Sequence, residues 1–307
     1  MTDATIDTQD VAARPSAHVR PGIADGFRDV WSQTNWALRL TMLLAVLLIA
    51  LAVFAPLLSP HDPNAQSLLS RLRPPLGFDR ALAQFPLGTD ELGRDVLSRT
   101  LHALRLTLGV AFLGSIIGLL IGGTLGIVAG LARGAVESAI MALVDVQISV
   151  PFTLIALLAV AVFGSELTVL VLVLGIAYWE QYARIIRGEV MRLRDMPYVD
   201  AARAAGASGW RIATRHILPN VVSPLVVMFT IGLSNIVLLE STLSFLGLGM
   251  RPPTATLGSM VGIGRDYMPS APWIVAVPAI LIVLVTLVVQ LLGDWLRDRF
   301  DVRLRDR

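Results

Sequence analysis

Residues 200–220 read DAARAAGASGWRIATRHILPN, a polar stretch set between long apolar runs. Residues 200–205 are good helix formers, Gly206 is free to take positive φ, Ser208 can cap a second helix, and Pro219 discourages helix around Leu218. The order predicts a helix, a bend and another helix. By itself such a segment also fits an ordinary basic amphipathic loop between membrane helices, so the rest of the chain has to decide.

Outward from this loop the composition is strongly apolar. Of 307 residues, 55% are hydrophobic and 16% charged, with a mean hydropathy of +0.69, which excludes an ordinary soluble domain. A bilayer core of about 30 Å needs roughly 20 apolar residues in helical form. Runs of that order are expected at 37–58, 105–132, 139–163, 167–187, 221–240 and 273–293. They lack the alternation of barrel strands, and only helices otherwise satisfy the backbone across hydrocarbon. The fold class is therefore all-α, a polytopic membrane protein with six transmembrane helices. The expected organisation is a tail over 1–36, a first span over 37–58, an outer loop over 59–104, a core of five spans over 105–295 containing the loop 188–220, and a tail over 296–307. Phe27, Val30 and Trp31 recur at helical spacing and suggest a surface helix before the first span. The late start of the first apolar run is unlike a cleaved signal peptide.

The formal charge of +2 carries no nucleic-acid signal, and all 25 basic residues are Arg. Cysteine is absent, which excludes disulfides, thiolate metal sites and cysteine nucleophiles. No metal site is expected. Orientation follows from Arg placement. Arg192, Arg194, Arg203, Arg211 and Arg215 cluster at the 188–220 loop, and Arg297, Arg299, Arg303, Arg305 and Arg307 at the C-terminal end. Both are expected in the cytoplasm, and an even number of spans puts the N-terminus there too. The six Arg residues between Arg71 and Arg105 pull mildly the other way.

The 200–220 pattern resembles the cytoplasmic loop of ATP-binding-cassette importer permeases, which runs from Glu-Ala-Ala through a Gly to Ile-x-Leu-Pro. Asp200, Ala201, Ala202, Gly206, Ile217, Leu218 and Pro219 occupy it, with Asp in place of Glu and Ile217 directly before Leu218. A second segment, PLGTDELGRDVLSR at 86–99, reads as a helix start capped by Thr89 or Asp90. It also resembles the Gly-Thr-Asp-x-x-Gly-Arg-Asp segment of the second permease subunit in dipeptide, oligopeptide and nickel importers, with Gly88, Thr89, Asp90, Gly93, Arg94 and Asp95 matching. YARIIRGEV at 182–190, LSFLGLGMRPP at 243–253 and LGDWLRDRFDVRLR at 292–305 look like the same family, apart from Val302 where Pro is usual. Pro253, Gly258, Tyr267, Ala271, Pro272 and Trp273 resemble that family's second outer loop, where irregular backbone returns to the membrane.

Polar groups within spans are costly and normally face protein or water. Asp145, Glu180, Asn235 and Glu240 are the candidates for a translocation path or an interface, and Glu180 is placed to pair with Arg184 one turn on. Gly114, Gly118, Gly122 and Gly126 form a small-residue stripe that allows a close helix crossing, within this subunit or against another. Pro151 and Pro224 are positions for kinks.

The resemblance implies a type I ABC importer permease, in the inner membrane with both termini cytoplasmic. It implies a second permease, two cytoplasmic ATPase subunits and an extracytoplasmic binding protein as partners, besides the lipid bilayer. The chain has no G-x-x-x-x-G-K-[ST] phosphate loop, so no cofactor is expected on it, and ATP with Mg belongs to the partner ATPases. Cargo within that resemblance ranges over dipeptides, longer peptides, nickel chelates and glutathione-like molecules. A self-contained secondary transporter would need coupling-ion groups and a broken helix or inverted repeat, which are not evident. An intramembrane hydrolase would need H-E-x-x-H or G-x-S-x-G, and neither occurs.

Overall fold

The computed structural model describes residues 35–300. The expected surface helix at Phe27, Val30 and Trp31 and the terminal residues 301–307 lie outside the described residues. Contacts divide the chain into Met1–Leu40, described only over its last few residues, and Thr41–Arg307. Every long element described is helical. The first is α1, Trp36–Val53, followed by a short α2, Ala55–Leu58. Five helical segments are long and apolar enough to cross a membrane, and a bent pair raises the number to six.

Helix α3, Val96–Ala132, is the central strut. Its 37 residues span about 55 Å, well beyond a bilayer core, because it begins at Val96 rather than near 105. Its N-cap is Asp95, which accepts from the Ser98 amide at 3.0 Å and the Ser98 hydroxyl at 2.6 Å. The cap expected at Thr89 or Asp90 is corrected, because Asp90 closes a turn by accepting from the Leu92 and Arg94 amides instead.

The glycine stripe of α3 packs inside the subunit. It faces α6, Leu167–Ala177, and α7, Trp179–Arg194, which together make the fourth span. A Cβ on Gly118 would approach the Gly175 carbonyl oxygen to 3.0 Å, on Gly122 the Trp179 oxygen to 2.1 Å, and on Gly126 the Ala183 oxygen to 2.7 Å. In lipid, where helices gain no hydrophobic drive from association, this close approach supplies the dispersion contacts that hold them.

The span expected at 139–163, with a kink position at Pro151, is broken more sharply than a kink. It is α4, Ala135–Ser149, and α5, Phe152–Phe163, bent by 85°. The cause is local. Pro151 excludes its predecessor from helical backbone, and Val150 is extended at φ −102°, ψ 126°. Each half is about 18–23 Å long, too short to cross alone. Pro224, by contrast, sits within α10, Leu218–Phe245, without ending it.

After α10 the loop expected on the outer side forms a short helix, α11, Leu257–Gly264, where irregular backbone was expected. Thr256 and Ser259 close a capping box that satisfies its first amides. The last described helix is α12, Trp273–Phe300, which packs on α10 through the Ser234 hydroxyl donating to the Thr286 oxygen at 3.3 Å.

Candidate functional site

The 188–220 loop is held from beneath and open above. Arg194, at the end of α7, is buried and donates to the Gly130 carbonyl at 2.7 Å. A cation on the last carbonyls of α3 suits both their unmet acceptors and the negative end of the helix dipole. Met196 is extended ahead of Pro197, which opens α8, Pro197–Ala204, at the position where its missing N–H costs nothing.

Helix α8 ends in a Schellman motif. The Gly206 amide donates to the Arg203 oxygen at 2.9 Å and the Ala207 amide to the Ala202 oxygen at 3.0 Å, with Gly206 at φ +79°. Nothing lies within 4 Å of a Cβ at Gly206, so backbone angle alone demands glycine. Ser208 then caps α9, Gly209–Ile212, by accepting from the Arg211 amide.

Between α9 and α10 lies a π-helical turn, Ala213–Ile217. Pro219 was expected to break helix around Leu218, yet it lies in the first turn of α10. The wider turn takes up the mismatch, since the Leu218 amide donates to the Ala213 oxygen, five residues back. Helix therefore runs on from the loop into the fifth span.

Asp200 is not a cap, because Met196 holds that place. It pairs with Arg203 at 2.9 Å on the surface of its own helix, a contact worth roughly 0.3–0.5 kcal/mol. Asp200, Ala201, Gly206, Leu218 and Pro219 are exposed, Ala202 is half-buried and Ile217 is buried. Two groups that sequence reasoning passed over explain this arrangement. Val199 and Ile212 turn inward with Ile217 and Val221 onto Ile186 and Val190 of α7, forming a small apolar core that fixes the loop to spans four and five. Trp210 points the other way and is 79% exposed, next to Arg211. The signal was present in the spacing of single large apolar residues among the alanines.

The intramembrane candidates fall into separate groups. Arg184 reaches across to Asp145 of α4 at 2.8 Å, not to Glu180 as expected. Glu180 is buried and accepts from the Gln147 amide nitrogen at 3.2 Å, while Trp179 donates to the other end of the same Gln147 side chain. Gln147 thus links α4 to α7. The Glu180 and Arg184 side chains line a shallow cavity of about 370 Å³ at the α4–α5 bend. Glu240 is elsewhere and fully buried. It accepts from the Ser244 hydroxyl at 2.6 Å and from Thr107 of α3 at 3.5 Å, and Thr107 also accepts from the Leu257 amide at 3.1 Å. Glu240 therefore ties α3, α10 and α11 together and opens onto neither described cavity. Asn235 is half-buried on α10 and belongs to neither group.

The 86–99 segment is a structural knot. Thr89 donates to the Ser70 oxygen and accepts from the Arg73 amide at 2.9 Å. Asp90 carries both Arg94 at 2.6 Å and Arg99 at 3.3 Å, and Arg94 also holds Glu91 at 2.6 Å. Gly88 and Gly93 take positive φ, and a Cβ on Gly93 would lie 1.8 Å from the Ser67 oxygen. The Trp273 indole donates to the Thr89 oxygen at 3.1 Å, joining the loop before α3 to the start of the last helix. The matched residues Gly88, Thr89, Asp90, Gly93, Arg94 and Asp95 shape the loop before α3, and the burial of Thr89, Asp90, Arg94 and Asp95 leaves them little reach to a ligand.

Residues 122–306 match the family model described as binding-protein-dependent transport system inner membrane component. Residues 35–75 match the N-terminal membrane domain of oligopeptide transport permease C. The di/tripeptide transport system permease protein DppC of Pseudomonas aeruginosa is 38% identical over 265 residues, 86% of this chain and 88% of the relative. The dipeptide transport system permease protein DppC of Escherichia coli is 41% identical over 260 residues, 85% and 87% of the two chains. An inward-facing structure of the MetNI methionine ABC transporter covers 64% of this chain and 94% of its own at a TM-score of 0.53 and 21% identity, which shows a common fold.

Proposed function

Because the chain belongs to the family of binding-protein-dependent transport system inner membrane components, and is a transport permease subunit, we propose that its cargo is a dipeptide or short oligopeptide. The names of its relatives support that cargo class. In this reading a second permease supplies the other half of the pathway, two ATPase subunits hold ATP and Mg, and a binding protein delivers the peptide. The Arg-rich 188–220 loop and both termini face the cytoplasm.

The observation that carries the mechanism is the loop itself. Helix α8, with its exposed small-residue face, and α9 share an apolar underside packed on α7, and past the Gly206 bend α9 continues by helix into α10. A motor protein gripping Ala201, Gly206 and Trp210 would move both spans together, because Val199 of α8 and Ile212 of α9 are packed in one apolar core with Ile186 and Val190 of α7 and Val221 of α10. Closure of the ATPase pair would then be transmitted as a rigid-body shift of spans four and five, opening the pathway to the opposite side. Asp200 and Arg203 present a polar pair at the rim of that surface.

The test is reconstitution of the full importer in vesicles, measuring peptide uptake and ATP hydrolysis together. Uptake that requires ATP and all subunits is expected. Uptake by this chain alone under an ion gradient would overturn the reading.

A further inference from the structure

A cavity of about 600 Å³ lies beside the outer end of α3 and under the second outer loop, a size within the range of small-molecule sites. Arg99, His102, Arg105 and Gly109 line it from one face of α3, and Thr254 and Ala255 from the loop. None of its lining residues is acidic.

The three basic side chains are held differently. Arg99 is almost fully buried, with Nε 3.3 Å from Asp90 and Nη1 donating to the Pro63 oxygen at 3.1 Å. Its other terminal nitrogen has no hydrogen bond among the described residues. His102 keeps Nδ1 3.0 Å from the Ser98 oxygen, which leaves Nε2 to other partners. Arg105 is exposed and makes no ion pair among the described residues. Asp90 and Glu91 balance Arg94 and Arg99, so the uncompensated charge at the cavity is that of Arg105.

Deeper in, the same face of α3 turns apolar through Leu106, Gly109 and Leu113. Gly109 differs from the glycines of the packed stripe, since nothing lies within 4 Å of a Cβ built on it. Its missing side chain leaves room in the cavity where its counterparts allow a helix crossing. The cavity thus has a cationic mouth, preorganised on one side by the Asp90 network, above an apolar floor. That is the chemistry of a peptide end whose carboxylate is held while its last side chain rests on apolar surface.

Resting on the peptide cargo proposed above, we infer that this cavity is a subsite for the C-terminal carboxylate of the transported peptide, with Arg105 as its principal contact and Arg99 and His102 as positioning donors. The test uses the solubilised full complex without its binding protein, so that the binding protein's own selectivity does not enter. Equilibrium dialysis compares a labelled dipeptide with its C-terminal amide, on the native complex and on Arg105→Gln. Amidation and Arg105→Gln should each weaken binding about tenfold or more, the size of one charge-assisted hydrogen bond, and together should weaken it no further. Arg105→Lys should retain part of the affinity, and Gly109→Leu, which fills the cavity, should weaken dipeptide and amide alike. Absence of saturable dipeptide binding, or an amidation penalty that survives undiminished in Arg105→Gln, overturns the subsite. An Arg105→Gln effect that appears only with phosphatidylglycerol present assigns the cavity to a lipid headgroup and also overturns it. Native complex that takes up dipeptides in vesicles while failing the dialysis test loses this inference alone, whereas failure of uptake removes the cargo reading and the inference with it.

Discussion

Tyr182 of α7 fills the space beside Gly232 of α10, and a Cβ on Gly232 would lie 2.1 Å from the Tyr182 hydroxyl oxygen. The same ring packs on α3, where a Cβ on Gly118 would lie 3.4 Å from the Tyr182 Cε2. Tyr182 is thus a wedge shared by three spans, two of which carry the 188–220 loop. Its hydroxyl is buried without a hydrogen bond, so the packing depends on the ring. Gly232→Ala is expected to cost about 1–3 kcal/mol by overpacking. Tyr182→Phe is expected to be neutral or stabilising by about 1 kcal/mol, because an unsatisfied buried hydroxyl is removed. The double variant should recover most of the loss, read as the thermal midpoint of the purified permease in detergent. Additive penalties would show that the two side chains do not meet.

The bend at Gly206 is set by backbone angle and by two hydrogen bonds, not by crowding. Gly206→Ala should therefore cost only about 1–2 kcal/mol, the penalty of a left-handed backbone on an L residue, and transport should fall modestly. Gly206→Pro also removes the amide that donates to Arg203 and forbids φ +79°, and Asp200→Arg sets a second cation beside Arg203. Both are expected to separate ATP hydrolysis from uptake while insertion into the membrane is retained. Uptake per ATP at the native ratio in both variants would remove the loop from the coupling role.

What could be read from the sequence depended on how local the physics was. The apolar runs were readable because a span needs its own unbroken hydrophobic length, and the Schellman turn because Gly206 and its neighbours supply all its partners. The sharpness of the Pro151 bend was not, since α4 and α5 are apolar on both sides of it and a kink or a break reads alike. Arg184 was placed by its one-turn spacing to pair with Glu180, but it bonds Asp145, 39 residues away. The glycine stripe likewise announced a close crossing without naming the helix that crosses. Arg194 and Gly130 are 64 residues apart, and nothing in either segment points to the other.

Glu240 joins helices that are far apart in sequence, so its removal should loosen the junction of α3, α10 and α11. Glu240→Ala leaves the Thr107 and Ser244 hydroxyls short of their acceptor, at a cost of about 1–3 kcal/mol for a buried group left unpaired. Glu240→Gln keeps an acceptor oxygen in place and should cost less. Hydrogen exchange should locate the change in α11 and the adjoining part of α10, with α8 unaffected. Uniform loosening across the chain would argue that Glu240 serves the whole fold instead of this junction.

Orientation can be tested without first removing any native thiol, because the chain contains no cysteine. Trp210 is 79% exposed on the Arg-rich loop, and Leu69, 92% exposed, lies in the loop before α3. Those two loops are separated by the spans α3, α4–α5 and α6–α7. An odd number of crossings places the loops on opposite sides if the bent α4–α5 pair crosses once, and on the same side if it enters and returns. In intact spheroplasts a membrane-impermeant maleimide should label Leu69→Cys, whereas Trp210→Cys should label only after permeabilisation. Labelling of both without permeabilisation would make α4–α5 a re-entrant pair and expose the 188–220 loop to the outside, where no cytoplasmic ATPase could reach it. The reverse pattern, Trp210→Cys alone labelled in intact spheroplasts, would invert the topology and remove the coupling role equally.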